Sequence, residues 1–556
     1  MQGQSRMDRE LLDAGEMAGH LVPPGSVFAF LAEHRGELFP GSFTADLFGS
    51  RTGRPSLPAD LIGSVLVLKE LHDLSDAQTA DALKFDIRWK VACGRSLTQM
   101  SFDPSVLVYW RRRIAASDRP GRVFDAVAEV IAQTGILRGR RKRCVDSTVF
   151  DDAVATQDTV TQLTAAMRKV ARVVPGAAGV IAAVCRLDYS KPGKPPVDWD
   201  DPAAKDALVS DLVNDALAVL AELAGPGSPP RDPAAADALG LLALVAGQDV
   251  EPAEDSDGTD GRWRIARTVA PDRVISTVDR QARHTRKSKS QRRDGFRGHV
   301  AAEPETGLIT DCEMTMAAGP GSTDAENGVK MAARDRFTGT PGGTGPGQEP
   351  DAGAGDGTGP DADGPPGARP AGTRLEVYGD SAYGSGEARA AYRDAGHDTV
   401  IKPGPLRPAV PGGFTIDDFT IDEQAGTVTC PAGHAMPMSA RTRTVTFGRL
   451  CAACPLRTRC TTAKDGRSTR IHPHEDLLRA ARAQARTGDF KKAYPTRSAI
   501  ERIISWTATQ NGRRARLRYL GAVRNNAWLH TRCAAINLRT LLRHGLTRRD
   551  GAWILT

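Results

Sequence analysis

The sequence predicts an α/β protein with an all-helical N-terminal region and a small cysteine-bearing insertion. Three observations predict this class. Residues 1–137 carry apolar side chains at helical spacing. From Arg143 onward, short β-rich runs alternate with amphipathic helical stretches. Four of the nine cysteines crowd between Cys430 and Cys460. A chain of 556 residues is longer than one core needs, so several units are expected. The pattern divides it into a helical region at 1–137, an α/β core at 138–405, a cysteine-rich insertion at 406–475 and closing helices at 476–556.

In the N-terminal region, LPADLIGSVLVLKELHDLS sets Leu61, Val65 and Leu68 on one helix face. DAQTADALKFDIRWKVACG follows, with Ser75 or Asp76 as its N-cap, and Asp103-Pro104 opens a third helix. That helix ends on Arg111, Arg112 and Arg113. Short helices with polar turns and a basic end fit a helix-turn-helix module, as they fit any helical bundle.

The core opens with CVDSTVF, a short β run ending in polar residues, and then the amphipathic helix DTVTQLTAAMRKVARVV. A helical insertion, broken by KPGKPPVDWDDPA, spans about 165–260. RVISTVD and GFRGHVAAEPETGLITDCEMTMA form a second β-rich zone, with Glu305-Thr306-Gly307 as a hairpin turn. Residues 338–373 hold only Gly, Pro, Ala, Thr and polar or charged residues, a composition expected to stay disordered. LEVYGDSAYG then reads as strand and turn, and DTVIKPG as another strand. TRSAIERIISWTATQ and AVRNNAWLHTRCAAINLRTLLRHG close the chain as helices.

Composition excludes some classes. At 40% hydrophobic and 25% charged, the chain has no run near the roughly 18 apolar residues of a membrane span. Acids stand in the first thirty residues where a signal peptide is apolar, so a cytoplasmic protein is expected, without a membrane partner. The same context argues against a disulfide scaffold for the cysteines. The net charge of +7 is modest, but the arginines cluster: RGRRKR from Arg138, RHTRKSKSQRR from Arg283 and RRARLR from Arg513. Such clusters suit phosphate contacts. Arg111, Arg112, Arg113, Arg286, Lys287, Lys289, Arg513, Arg514, Arg516 and Arg518 are the candidate DNA contacts.

Two acids share one local setting, an apolar β run followed by serine and a turn: Asp146 in CVDST and Asp380 in VYGDSAYG. A carboxylate at a strand end points into a cleft from a rigid backbone. Glu501 sits on an expected helix in SAIERIISW. Three carboxylates from separate segments can hold two Mg²⁺ (or Mn²⁺) ions, which take oxygen ligands and keep positions open for phosphates. Among 67 acids, local pattern alone leaves them as candidates.

VDSTVFDDAVATQDTVTQL, VDRQARHTRKSK with DGFRGHVAAEPETGLIT, YGDSAYGSGEARAA, and SAIERIISW with NGRRARLRYLGAVRNNAWLH resemble, in order, the blocks of the DDE transposases of bacterial insertion sequences. The region from GRPSLPADLIGSVLVL resembles that family's helical N-terminal domain. The resemblance implies a ribonuclease-H-like core, a mixed sheet flanked by helices, with Asp146, Asp380 and Glu501 as catalytic metal ligands. It also implies binding of the element's terminal inverted repeats in double-stranded DNA, then strand cleavage and strand transfer. A homodimer in a synaptic complex, acting at the bacterial nucleoid, is expected with it. Tyr494 and Arg497 match a Y-x-x-R-x-x-x-E spacing, which adds Arg497 to the DNA contacts. The basic residue usual after the Glu is replaced by Ala508, leaving Arg513 or Arg514 for that contact. Asp279 and His284 match a further block and are expected to support the structure.

CPAGH at Cys430–His434 and CAACPLRTRC at Cys451–Cys460 have zinc-site spacing, as in a zinc-ribbon-like insertion. Cys430, Cys451, Cys454 and Cys460 are the expected ligands, with His434 the alternate. GSGEARAA lacks the Lys-Ser/Thr of a phosphate loop, and Ser147 and Ser381 lack the nucleophile-elbow glycines. His472 and His474 read as exposed loop residues. A DNA-binding protein with an inactive core, and a metal-dependent nuclease without strand joining, are the competing functions.

Overall fold

The computed structural model describes the chain apart from residues 5–11, 50–51, 54, 226–231, 269, 271, 287–291 and 338–373. The low-complexity segment and the candidate contacts Lys287 and Lys289 lie outside the described residues.

Among the described residues, six strands form one mixed sheet. They are β1 (Lys142–Asp151), β2 (Arg283–Arg286), β3 (Arg292–Ala302), β4 (Ile309–Met316), β5 (Glu376–Gly379) and β6 (Asp398–Ile401). β3 runs antiparallel to β1, from Cys144↔Ala302 to Asp151↔Gly295. Its other edge carries β2 at one end and β4 along the rest. On the far side of β1, β5 and then β6 run parallel to it. The hairpin between β3 and β4 turns at Glu305-Thr306-Gly307, as expected. Glu303 accepts the Thr306 N–H at 2.7 Å, and Gly307 takes φ +73°, open to glycine without strain.

Two expectations change. The first strand does not stop after Asp146. Thr148, Val149 and Phe150 carry it on to Asp151, because β-branched and aromatic residues suit the pleat and Phe150 is buried against the core. RVISTVD forms only an isolated bridge, Val274↔Arg283. Glutamine side chains take the place of a ladder there. Gln248 accepts from Val274 N at 3.1 Å, and Gln162 donates to Val274 O at 2.9 Å.

The N-terminal region is helical: α1 (Val27–Leu38), α2 (Ala59–Leu71), α3 (Asp76–Phe85), α4 (Ile87–Ala92), α5 (Ser105–Ala115) and α6 (Arg122–Thr134). Ser75 is the N-cap of α3, in a reciprocal capping box with Gln78. Asp103 accepts the Ser105 N–H at 2.8 Å where α5 starts. α2 is buried on every side and not only on the Leu61–Val65–Leu68 face. The insertion after β1 holds α7 (Thr159–Val173), α8 (Ala177–Val184), α9 (Pro202–Ala224) and α10 (Pro233–Gln248), which close a core of their own around Leu163, Met167, Leu212 and Leu242. α11 (Asp324–Arg334) and α12 (Gly386–Asp394) cover one sheet face, over Val145, Val377 and Ile401.

The longer helices that close the chain are α13 (Glu475–Arg486), α14 (Ser498–Ala508) and α15 (Ala522–Arg543), with a short helix Gly488–Ala493 between the first two. α14 and α15 cover the other sheet face, where Cys144, Phe150, Phe296 and Val300 join one core with Ile500, Trp528, Leu529 and the N-terminal helices. The indole N–H of Trp528 reaches Glu70 of α2 at 3.0 Å across this shared core. Cys144 and Val145 therefore face opposite layers, as strand alternation requires. Asp146 returns to the α14 side. Between β6 and α13, three short strands (Thr420–Asp422, Thr427–Thr429, Ala435–Pro437) and a ribbon of Thr444–Thr446 with Ser468–Arg470 pack around Phe419, Val428, Phe447 and Ile471. No helix among the described residues is long and apolar enough to cross a membrane.

Candidate functional site

Register brings the two aspartates together. Cys144 on β1 pairs with Tyr378 on parallel β5, so two residues further on Asp146 stands level with Asp380. Asp146 Oδ1 accepts the Ser147 N–H at 2.8 Å. Asp380 caps the short turn Ser381–Tyr383, its Oδ1 accepting the Ala382 N–H at 2.9 Å. Glu501 lies in the first turn of α14, four residues after Arg497.

Arg497 joins all three. Its Nη2 donates to Asp146 Oδ2 at 3.0 Å and lies 4.0 Å from Asp380 Oδ2, while Nη1 donates to Glu501 Oε1 at 3.0 Å. Asp146 is the enclosed member, with its side chain 16% exposed against 63% for Glu501. Burial pushes the Asp146 carboxyl up to about 6, opposed by the Ser147 N–H and Arg497 and reinforced by the charges of Asp380 and Asp324.

Sequence reasoning missed the residues behind Asp146. His299 on β3 faces Ser147 across the ladder and is fully buried, with Nε2 3.1 Å from Thr315 Oγ1 and Nδ1 3.4 Å from Asp324 Oδ1. Burial pushes its imidazole down to about 3, so the ring is neutral. Arg297 donates to Asp324 at 3.0 Å. Asp324 begins α11 beneath its N-cap Thr323. That cap is legible in the sequence; the approach to Asp146 is not.

Oxygen donors of this kind suit a hard divalent cation. As placed, they gather on the Arg497 guanidinium. Among the described residues, no group of three or more His, Cys, Asp or Glu side chains is arranged closely enough to hold a metal ion.

The candidate DNA contacts divide. Arg111 is paired with Asp76 at 2.5 and 2.8 Å and stacked over Tyr519, and Arg113 donates to Leu47 O at 2.6 Å, so both are spent on the fold. Arg112 and Arg286 are exposed. Arg513, Arg514, Arg516 and Arg518 are exposed, interleaved with buried Ala515 and Leu517. This extended run lies along the end of β1: Leu517 N–H reaches Asp151 O at 2.8 Å, Arg516 reaches Asp152 O at 2.8 Å, and Arg514 donates to Val149 O. A basic strip thus borders the strand that carries Asp146. Asp279 accepts the Gly521 N–H at 2.8 Å, and His284 is 2.6 Å from Asp294; both contacts are internal. His472 pairs with Glu387 at 3.1 Å.

Cys430, Cys451, Cys454, Cys460 and His434 line one cavity of about 20 Å³. Burial raises the Cys460 thiol, Arg467 opposes this, and the charges of the other three cysteines add to it. The Arg467 N–H donates to Cys451 Sγ at 3.4 Å. Thiols and an imidazole are donors of the kind that suits zinc, and they share this cavity without forming, as placed, a group close enough to hold an ion.

Residues 429–542 match the family model described as "Transposase DDE domain", and residues 20–113 match "Transposase domain (DUF772)". The first span holds the cysteines, Arg497 and Glu501; Asp146 and Asp380 lie in neither. Over 160 residues, 28% of the chain, it is 28% identical to 72% of a Rhizobium meliloti protein described as "Uncharacterized protein ORF8 in nfe locus". No solved structure matches the chain.

Proposed function

We propose that this chain, a DDE transposase of insertion-sequence type on the support of its two family matches, binds the terminal inverted repeats of its element, cuts the DNA there and joins the freed ends to a target. The observation that carries this reading is the gathering of Asp146, Asp380 and Glu501, from three separate segments, around one guanidinium. Mg²⁺ or Mn²⁺ held by these three carboxylates would supply activation of the attacking water or 3′-hydroxyl and stabilise the leaving oxygen. The rest falls to the chain's own groups. Arg513, Arg514, Arg516 and Arg518 line up phosphates beside β1, and the exposed Arg112 and Arg286 add to them. Asp146 is ionised above its raised pKa of about 6 and is then ready to bind a cation. Two aspartates on adjacent parallel strands, with the glutamate on a later helix, support a ribonuclease-H-like core.

Cys430, Cys451, Cys454 and Cys460 hold a structural zinc in this reading, with His434 the alternate ligand. Two element ends must be held together, which calls for a homodimer acting on DNA in the bacterial cytoplasm.

The test is cleavage and joining of a labelled inverted-repeat end by the purified chain with Mg²⁺ or Mn²⁺. Full activity in Asp146→Ala or Asp380→Ala would sink the site. Cleavage without joining would make the chain a nuclease. Inactive but specific binding of the end would make it a DNA-binding protein.

A further inference from the structure

The two aspartates of the site are held alike. Each gives one carboxylate oxygen to a backbone N–H in the residues that follow it, Asp146 Oδ1 to Ser147 and Asp380 Oδ1 to Ala382. The other oxygen of each, Oδ2, faces the same nitrogen of Arg497, at 3.0 and 4.0 Å. Each Oδ1 keeps a lone pair beside its backbone bond, while the Oδ2 atoms, which face the shared nitrogen, are where a bridging cation and Arg497 meet. The space between them belongs to Arg497 Nη2.

Arg497 is fixed there by more than charge. It ends the turn Tyr494–Arg497, and Tyr494 stacks on Phe490 at 5.2 Å. Its Nη1 holds Glu501 one helical turn on. One donor is wasted: the Arg497 Nε is buried without an acceptor.

We propose that Arg497 is the resident counter-cation of the triad: a positioning residue that, in the metal-free chain, draws Glu501 to the two register-held aspartates, offsets their charge and competes with the divalent cation for both Oδ2 atoms. Three carboxylates drawn together without a cation repel one another, and a divalent ion and a guanidinium repel each other at the same oxygens. Metal entry therefore turns Arg497 out of its place. The inference rests on the reading of the triad as the metal site.

The test is Mn²⁺ binding by the full-length chain, followed by the electron paramagnetic resonance of free Mn²⁺, together with melting temperature in chelator and in Mn²⁺. Arg497→Gln is expected to bind Mn²⁺ roughly tenfold more tightly than the parent. Its melting temperature should fall in chelator and recover with Mn²⁺. Arg497→Lys, which keeps one charge but loses the fork, should fall between the two, and it stands in if the glutamine variant does not fold. Arg502→Gln, which removes a guanidinium stacked on Trp506, should behave as the parent does. Asp146→Asn should abolish tight binding. If it leaves Mn²⁺ binding intact, the metal-site reading fails and this inference with it. If Asp146→Asn abolishes binding while the Arg497 variants bind no more tightly than the parent, the counter-cation role alone is overturned.

Discussion

Asp146→Asn should stabilise the metal-free protein, and only above the acid range. The substitution preserves shape and the acceptor for the Ser147 N–H, and it removes a half-buried charge. In the fold, burial pushes the Asp146 carboxyl from its ordinary 3.8 up to about 6. The folded chain thus holds this proton more tightly than the unfolded chain does. Below about pH 3.8 both states are protonated, and Asp146 takes nothing from stability. As pH rises toward 6 the unfolded chain ionises first, and the fold loses ground until its own carboxyl has ionised. The loss at pH 7 is the difference of about 2.2 at 1.36 kcal/mol each, about 3 kcal/mol. Urea unfolding in chelator, read by tryptophan fluorescence at pH 7.5 and at pH 3.5, checks this. Asparagine should gain about 3 kcal/mol at the higher pH and close to nothing at the lower. An equal gain at both, or a loss at pH 7.5, would refute the account of Asp146 as an acid charged against its surroundings.

The purified chain should carry about one zinc per molecule by elemental analysis, and the double variant Cys451→Ser, Cys454→Ser should carry none; an unchanged metal content would remove the zinc assignment. Arg514→Ala combined with Arg516→Ala should weaken binding to end DNA and to unrelated DNA alike, and lower the salt dependence of log K by about two. A fall confined to the element end would mean that these arginines read sequence instead of phosphate. Trp528→Phe removes the indole donor to buried Glu70 and should cost about 1–3 kcal/mol of stability without touching divalent-cation binding.

How far the site could be read in advance follows from which interactions are local. An apolar β run before an acid is a local signal that makes Asp146 and Asp380 candidates among 67 acids, and the resemblance of their blocks to the family singles them out. Their pairing needed only two parallel neighbours, β1 and β5. Arg497 was legible through the resemblance, whose Y-x-x-R-x-x-x-E spacing it matches, and the expectation was contact with DNA. Its bond to Asp146 spans 351 residues of sequence, which no spacing rule reaches. The same holds for Asp324 and His299. RVISTVD shows the opposite failure, since its β propensity is real but Gln162 and Gln248 satisfy the backbone that a neighbouring strand would have paired. Sequence composition also set off residues 1–137 as a unit. The apolar surface of α2 is nevertheless completed by α15, more than four hundred residues further on, because a helix buried on all sides needs partners on all sides.

The three carboxylates are not held with equal firmness, and this orders how the site assembles. Asp146 and Asp380 are fixed twice, by strand register and by a backbone N–H on one oxygen each. Glu501 has neither. It is largely exposed, and its hydrogen bond is to Arg497, one turn earlier on the same stretch of chain. A solvent-exposed pair of this kind is worth little by itself. The two aspartates therefore form the preset half of the site, and the glutamate is the movable member. A perturbation at Arg497 should reach Glu501 first and leave the Asp146–Asp380 register standing. Loss of β1–β5 pairing, by contrast, would dismantle the site at once, since no side chain could restore the level placement of two acids that come from segments so far apart.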